Sequence, residues 1–378
     1  MDFEFNEDQQ AVLDAVRELC VEELRPKAEE TDASGEFPWE NIRKLAELDL
    51  CGIPVPEEYG GLGMDFLTWA AVGMELSRAC TTTGAVFGAH MLAQYPIMLF
   101  GTEEQKRKYL VPLSTGEKIG AFGLTEPNAG SDAGNVKTSA VRVGDEYILN
   151  GTKIFITNAG EAETYIVIGN MQPDRGARGM TAFIFEKGFE GFTIGKNEKK
   201  MAFPSLPNRE LIFQDAHTPA GNVLGGEKRG FRVAMQTLDL GRIGMGIGAV
   251  GVAQAAYEHA LAYSKQRVQF GQTISNFQAI QFKLADMVVE IECARLLCNQ
   301  AAWLKDQGKP FELQAAMAKL YASEVAMRVT NQAVQVLGGY GYTKEFPVER
   351  LMREAKLFEI VEGTSEIQRL VIANHILK

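Results

Sequence analysis

In Tyr147-Ile148-Leu149-Asn150-Gly151-Thr152-Lys153-Ile154-Phe155-Ile156, short β-branched and aromatic runs are broken by Asn and Gly. That texture predicts strands separated by turns rather than helix. It recurs at Tyr165-Ile166-Val167-Ile168 and at Thr181-Ala182-Phe183-Ile184-Phe185, and it is confined to about residues 119–219. A β-domain of the barrel or sandwich class is therefore embedded between two stretches of another character.

Upstream, Asn6-x-x-Gln9 resembles a capping box opening an amphipathic helix that stops near Pro26, and Thr102-Glu103-Glu104-Gln105 forms a second box. Segments 40–48, 66–79 and 84–99 carry apolar residues at helical spacing. The glycine-rich tract from Glu58 to Gly63 reads as a loop. Downstream, four long amphipathic segments (230–265, 276–307, 312–337 and 364–377), rich in Ala, Leu, Met and Gln, predict an antiparallel bundle. The fold class is thus α+β: an N-terminal helical domain (1–116), a middle domain taken as a β-barrel (117–226) and a C-terminal four-helix bundle (227–378). No internal repeat appears.

The 378 residues are 46% hydrophobic and 23% charged, as in a soluble globular protein able to bury several cores. Net charge is −11, and no run of five or six like charges points to nucleic acid. No apolar stretch reaches the roughly 18 residues of a membrane-spanning helix. The acidic start Met1-Asp2-Phe3-Glu4-Phe5 lacks the pattern of a signal or transit segment, so the expected location is the cytoplasm. The five cysteines form no CxxC pair, and Cys293 and Cys298 would point about 140° apart on a helix. The four histidines are too scattered in sequence for a local metal motif.

The Walker, GxSxG and HExxH patterns are absent, and Gly246-Ile247-Gly248 falls inside a predicted helix, where it reads as a close-packing surface. Six polar or glycine-bearing segments remain. Phe122-Gly123-Leu124-Thr125-Glu126-Pro127-Asn128-Ala129-Gly130-Ser131-Asp132 is a turn dense in hydrogen-bond donors. Phe155-Ile156-Thr157-Asn158 carries an aromatic into a hydroxyl at a strand end. Asp239-Leu240-Gly241-Arg242 and Gln266-Arg267-Val268-Gln269-Phe270-Gly271, the latter followed by Phe277-Gln278, bring arginines that could bind phosphate or sit in ordinary salt bridges. Gln335-Val336-Leu337-Gly338-Gly339-Tyr340-Gly341-Tyr342 is at least a glycine helix stop. In Val361-Glu362-Gly363-Thr364-Ser365-Glu366-Ile367-Gln368, Thr364 or Ser365 would cap the last helix. Glu362 lies just before the cap in an apolar context, where desolvation would raise its pKa toward that of a general base.

In this order and spacing the six segments resemble the acyl-CoA dehydrogenase family over essentially the whole chain, and most closely its short-chain, butyryl-type branch. The resemblance implies non-covalent FAD and a homotetramer. Phe122, Leu124, Thr125, Gly130, Ser131, Phe155, Ile156 and Thr157 would contact the cofactor from the β-domain, with Thr125 at the pyrimidine side of the flavin and Thr157 near N5. Arg267, Phe270 and Gln278 would hold its diphosphate and adenosine. Gln335, Gly338 and Gly339 would come from a neighbouring subunit, and Thr364, Ser365 and Glu366 would close on the cofactor. Ser131, Asp239 and Arg242 resemble the CoA-contacting positions, and Val361 and Gly363 flank the reacting carbons. Glu362 matches the catalytic base that takes the α-proton while hydride leaves the β-carbon for flavin N5. Its N–H and a flavin ribityl hydroxyl would polarise the thioester carbonyl.

The family's isovaleryl- and long-chain-type members carry their base on an earlier helix; here that position is Gly241. Val361 stands where the family usually has Tyr, which implies a roomier, drier pocket suited to a branched or aryl acyl chain. Met201-Ala202-Phe203-Pro204-Ser205-Leu206-Pro207-Asn208 departs from the usual Met-Gly-x-Arg-x-Ser-Pro-Thr. Cys80 to Tyr95 holds no Arg or Lys to receive a dicarboxylyl chain. The expected activity is FAD-dependent α,β-dehydrogenation of a short-chain or related acyl-CoA, with electrons passed to electron-transfer flavoprotein. The same machinery run backwards would be an enoyl-CoA reductase, used with oxygen it would be an oxidase, and without chemistry it would be a flavin-binding scaffold.

Overall fold

The computed structural model describes residues 5–377. Met1 to Glu4, which carry the acidic start, and Lys378 lie outside the described residues. The first helices are α1 (Glu7–Leu19), running into a π-helical turn at Cys20–Leu24, α2 (Ala28–Ser34), α3 (Trp39–Glu47), α4 (Phe66–Ala79) and α5 (Thr81–Phe100), followed by the short α6 (Glu103–Gln105) and α7 (Val111–Ser114). Both capping boxes form: Asn6 and Gln9, and Thr102 and Gln105, exchange side-chain and backbone bonds. The N-terminus of α4 is capped from within by Asp65 and from afar by Asp306, which accepts from the N–H groups of Phe66 and Leu67 at 2.8 and 3.0 Å.

The middle strands are β1 (Gly120–Gly123), β2 (Ser139–Val143), β3 (Glu146–Thr157), β4 (Thr164–Asn170), β5 (Met180–Glu186), β6 (Phe192–Asn197), β7 (Asn208–Pro219) and β8 (Val223–Leu224). The two runs read separately from the sequence are one strand, β3, bent at two bulges opposite β7. The expected barrel is not formed. The order β6-β7-β3-β2-β4-β5-β8, with β1 beside β4, leaves β6 and β8 as unjoined edges. The two halves meet at the single pair Ser139↔Asn170 and fold over each other. Phe185 on β5 packs on Phe192 and Phe213 of β6 and β7, with ring centroids 5.4 and 5.2 Å apart, and Tyr147 on β3 packs on Phe183 at 5.1 Å. Burying these rings between two half-sheets satisfies the apolar faces without closure.

The C-terminal part holds α8 (Gly230–Gln266), a two-strand ribbon of β9 (Val268–Gln269) and β10 (Gln272–Thr273), α9 (Gln278–Asp306), α10 (Glu312–Leu337), α11 (Val348–Phe358) and α12 (Ser365–Ile376). The expected four helices are thus five. The helix α11 is short, but its buried residues Val348, Leu351, Ala355 and Phe358 keep helical spacing. The helix α8 runs through the centre, packed on α4, α5, α9, α10 and α11. Its glycines make this approach possible. A Cβ on Gly246 would lie 2.8 Å from Cys298 Sγ, and one on Gly248 would lie 2.8 Å from the Phe358 ring. Among the described residues no helix is long and apolar enough to cross a membrane.

One histidine joins the helical part to the first strand. The Gly120 N–H donates to His90 Nδ1 at 3.0 Å, so Nε2 carries the proton and donates to the Leu113 carbonyl at 2.9 Å. Burial holds the ring neutral, with its pKa pushed down from 6.5 to about 4. An unfolded chain takes up this proton below 6.5 while the folded one resists, so stability present above 6.5 is lost as pH falls toward 4. A His90→Phe variant should therefore lose less stability than the parent between pH 6.5 and 4.5, by about 2–3 kcal/mol. Urea midpoints measured across that range check this; parallel curves would show no proton linkage at His90.

Candidate active site

The segment after α11 makes a turn that ordinary residues avoid. Glu362 has φ +55° and Gly363 has φ +96°. Thr364 then caps α12, its hydroxyl accepting from the Ile367 N–H at 3.3 Å. The turn is held from two sides. Gln368 Nε2 donates to the carbonyls of Glu362 (3.2 Å) and Gly363 (2.8 Å), and Lys319 Nζ on α10 donates to the Gly363 carbonyl at 2.7 Å. Both side chains are fully buried.

This backbone lays the Glu362 carboxylate against Gly241 of α8. A Cβ on Gly241 would collide with Oε2 and would lie 2.8 Å from Leu92 Cδ2 of α5. Oε2 is buried and makes no hydrogen bond. Desolvation pushes the Glu362 pKa up to about 7, with the charges of Lys319 and Arg242 opposing it. The residue as a whole is half-buried, and Oε2 is its dry oxygen. Among the described residues the Glu362 N–H is not engaged by a backbone carbonyl. Two residues before Gly241, Asp239 pairs with Arg242, the residue after it. Burial raises the Asp239 pKa to about 6 against that pull.

Two β-domain segments are locked together by a buried ion pair that the sequence did not announce. Glu126 Oε1 accepts from Lys153 Nζ at 2.7 Å and from the Thr138 N–H at 2.9 Å, and Oε2 accepts from the Lys137 N–H at 2.6 Å. Lys153 also donates to the Leu124 carbonyl at 3.1 Å, and the Ile154 N–H donates to the Thr125 carbonyl at 2.9 Å. Burial pushes the Glu126 carboxyl up, but Lys153 and the donors around it outweigh that and leave it below its ordinary range. The pair registers Phe122–Ser131 against Phe155–Thr157. Phe155 stands at φ +58° and is 56% exposed, while Ile156 is buried. Gly130 and Ser131 are exposed, and a Cβ on Gly130 would meet nothing within 4 Å. Phe122 and Leu124 share an apolar cluster with Ala93 of α5 and Leu238 of α8, next in sequence to Leu92 and Asp239.

The departing segment 201–208 braces this edge. The Asn158 N–H donates to the Pro207 carbonyl at 3.1 Å, Asn208 Nδ2 reaches Thr157 Oγ1 at 3.4 Å, and Arg353 Nη1 donates to the Met201 carbonyl at 3.2 Å.

The remaining candidates lie elsewhere. Arg267 follows the C-terminal end of α8, 26 residues beyond Gly241, which is about 39 Å along a helix. Gln335 is 16 residues beyond Lys319 on α10, about 24 Å away. Arg267 lies over the Tyr340 ring at 5.6 Å, so these two segments meet each other at that end. Phe270 is 93% exposed there, and Gln278, Gln335, Gly338 and Gly339 are also exposed. One chain thus assembles Glu362, Gly363, Val361, Thr364, Ser365, Glu366, Asp239 and Arg242 at one end of the bundle, and Arg267, Phe270, Gln278, Gln335, Gly338 and Gly339 at the other.

Three acyl-CoA dehydrogenase domain models match the chain: the N-terminal domain over residues 6–117, the middle domain over 121–216 and the C-terminal domain over 228–377. The chain belongs to the acyl-CoA dehydrogenase family. It is 50% identical to a short-chain specific acyl-CoA dehydrogenase of Clostridium acetobutylicum, over 100% of both chains. It is 46% identical to the acryloyl-CoA reductase (NADH) of Anaerotignum propionicum, over 100% of this chain and 96% of the relative. A solved chain from work on the electron transferring flavoprotein of Acidaminococcus fermentans and flavin-based electron bifurcation superposes with TM-score 0.98, at 50% identity and full coverage of both. Within this flavoprotein family, the glycine at 241 has a steric reason in the present chain: any side chain there displaces the Glu362 carboxylate.

Lys319, Lys153 and Leu92 escaped the sequence reading. For Lys319 a signal existed, since it falls in phase with the buried stripe Ala315, Ala316, Ala322 and Ser323 of α10. A Gly241→Ala enzyme should fold normally and lose about 100-fold or more in turnover, because the carboxylate must move by an ångström or more. Near-parental turnover would show that the carboxylate does not need this seat.

Proposed function

We propose that the chain is an FAD-dependent enzyme that removes hydrogen across the α,β-bond of a short-chain or related acyl-CoA, giving the trans-2-enoyl-CoA, with Glu362 as the α-proton base. The observation that carries this is the dry, unpartnered Oε2 of Glu362 seated on Gly241. A thioester α-proton is far less acidic than a carboxylic acid. A base freed of water, with its pKa raised to about 7, narrows that gap. The Glu362 N–H, which no backbone carbonyl takes among the described residues, would donate to the thioester carbonyl and so stabilise charge developing on it. The division at residues 116 and 226 is taken as the domain division of this enzyme.

FAD fits the residues present. On the β-side the exposed Phe155, the open Gly130 and the half-buried Phe122, Thr125 and Thr157 offer a surface, with the buried Leu124 and Ile156 between them and Ser131 alongside; on α12 the buried Ser365 Oγ, between Thr364 and Glu366, has no partner. When bound, FAD would accept at N5 the hydride that leaves the β-carbon. Ser131, Asp239 and Arg242 would hold the CoA portion, with Val361 and Gly363 beside the acyl carbons. The remoteness of Arg267, Phe270, Gln278, Gln335, Gly338 and Gly339 supports their acting on the cofactor of a second copy, as a homotetramer built from dimers would require. Electron-transfer flavoprotein is the proposed electron partner, supported by the likeness to the chain studied with that protein. The proposed location is the cytoplasm.

A wide acyl pocket is supported by α5. In its first 17 residues only Ala85 and Gly88 are partly accessible. They share the face of Leu92, and a Cβ on Gly88 would meet nothing within 4 Å. With Val361 half-buried at the other side, a branched or aryl chain has room. The likeness to an acryloyl-CoA reductase favours, as a second reading, the same site running as an enoyl-CoA reductase.

Under argon, the visible flavin band should bleach on titration with butyryl-CoA or with a branched or arylpropionyl-CoA. A Glu362→Gln variant should bleach at least about 1,000-fold more slowly with its flavin retained. A yellow protein that no saturated thioester bleaches, but that is reoxidised by an enoyl-CoA once reduced, would select the reductase reading. Since the base acts deprotonated, kcat/KM in the oxidative direction should rise as pH passes through about 7 and level off above it. Val361→Tyr should shift preference toward the smaller straight chain; unchanged acyl-chain preference would remove the pocket argument.

A further inference from the structure

Lys319 is a fully buried ammonium on α10 that gives its hydrogen bond to a backbone carbonyl rather than to a carboxylate. Leaving a lysine in such a place is costly unless the charge serves something nearby. The bond goes to the Gly363 carbonyl, in the turn where Glu362 and Gly363 both hold positive φ. The Gln368 amide takes the same carbonyl and that of Glu362. Two donors from two helices therefore converge on one strained peptide unit. Removing the lysine leaves that carbonyl only Gln368 and frees the turn to relax toward ordinary φ, which would swing the carboxylate off Gly241.

We propose that Lys319 is a positioning residue for Glu362: its buried ammonium pins the Gly363 carbonyl, fixes the direction of the Glu362 carboxylate over Gly241, and supplies the cation that keeps that carboxylate ionisable in a dry site. The proposal rests on Glu362 being the base. The charged groups around the pair are few. Glu362 faces Lys319 from α10 and Arg242 from α8. Lys319 faces Glu362, Glu359 just after α11, Arg242 on α8 and Glu366 on α12. The helix α5 presents Leu92 to the carboxylate. Arg242 is already committed to Asp239. Lys319 is therefore the cation that bonds to the turn itself. Burial lowers its own pKa to about 8, so it remains charged at neutral pH. Its charge opposes the rise in the Glu362 pKa, and losing it would push that pKa higher still.

The test uses flavin-loaded Lys319→Met, which loses both bond and charge, and Lys319→Gln, which keeps a donor without charge, beside Glu362→Gln. Lys319→Met should lose about 10- to 100-fold in kcat with KM changed less than about threefold. The acidic limb of its kcat/KM profile should move up by about one pH unit. Lys319→Gln should recover part of kcat and keep the displaced limb. A merely structural lysine would lower flavin content or melting temperature without moving the limb. Variants that load flavin and show the parental kcat and limb overturn the proposal. So does a loss that follows flavin content alone, and so does failure of both variants to fold. If Glu362→Gln stays active, the assignment of the base has failed instead, whatever the lysine variants do.

Discussion

A carboxylate kept from water, pressed against a residue with no side chain, is the constraint around which this molecule is built. Glu362 is seated there only because three separate requirements are met. The backbone takes positive φ at two successive residues, α8 carries glycine at 241, and α5 approaches closely enough to place Leu92 beside them. The last two depend on helix packing. Tight approach along α8 is allowed by its glycines from 241 to 251, each of which meets a side chain or backbone of another helix. The stiffness of a close-packed helical core is what lets a strained turn persist at its rim.

The β-domain answers a different demand. It presents backbone and small side chains at fixed register rather than a charged reactive group. The buried Glu126–Lys153 pair does this by tying the turn after β1 to the bulged part of β3. Replacing such a pair with apolar residues need not cost stability, so its value lies in register. His90 performs the parallel task between α5, the end of α7 and β1, using both ring nitrogens and no charge. The positive-φ residues Phe155, Asn158 and Glu362 all lie within or beside the proposed site, which is where backbone strain has a use.

Most secondary structure was legible because it is local. Helices α4, α8, α9 and α10 follow from apolar periodicity within a residue or two, and both capping boxes from four-residue signatures. The barrel expectation failed because alternation and turn spacing are the same for strands in an open, folded-over sheet and in a closed one. Closure depends on whether β6 and β8 find each other. The helix α11 carries clear helical spacing at Val348, Leu351, Ala355 and Phe358, and it stands outside the expected four only because it is three turns long beside much longer neighbours. Lys153 keeps the inward phase of Tyr147 and Leu149, but a charge is expected in solvent, and only pairing with Glu126 seats it inside.

The family, the order of helical, β and helical parts, and the candidacy of Glu362 reside in residue type, spacing and short motifs, which can be read without coordinates. Tertiary packing alone makes the Glu362 Oε2 dry, requires Gly241 to be bare, brings Lys319 to a carbonyl 44 positions away, and puts Arg267 and Gln335 at the far end of the bundle from Glu362. Desolvation and through-space bonds arise from which helices pack on which, and no local stretch of sequence carries that information.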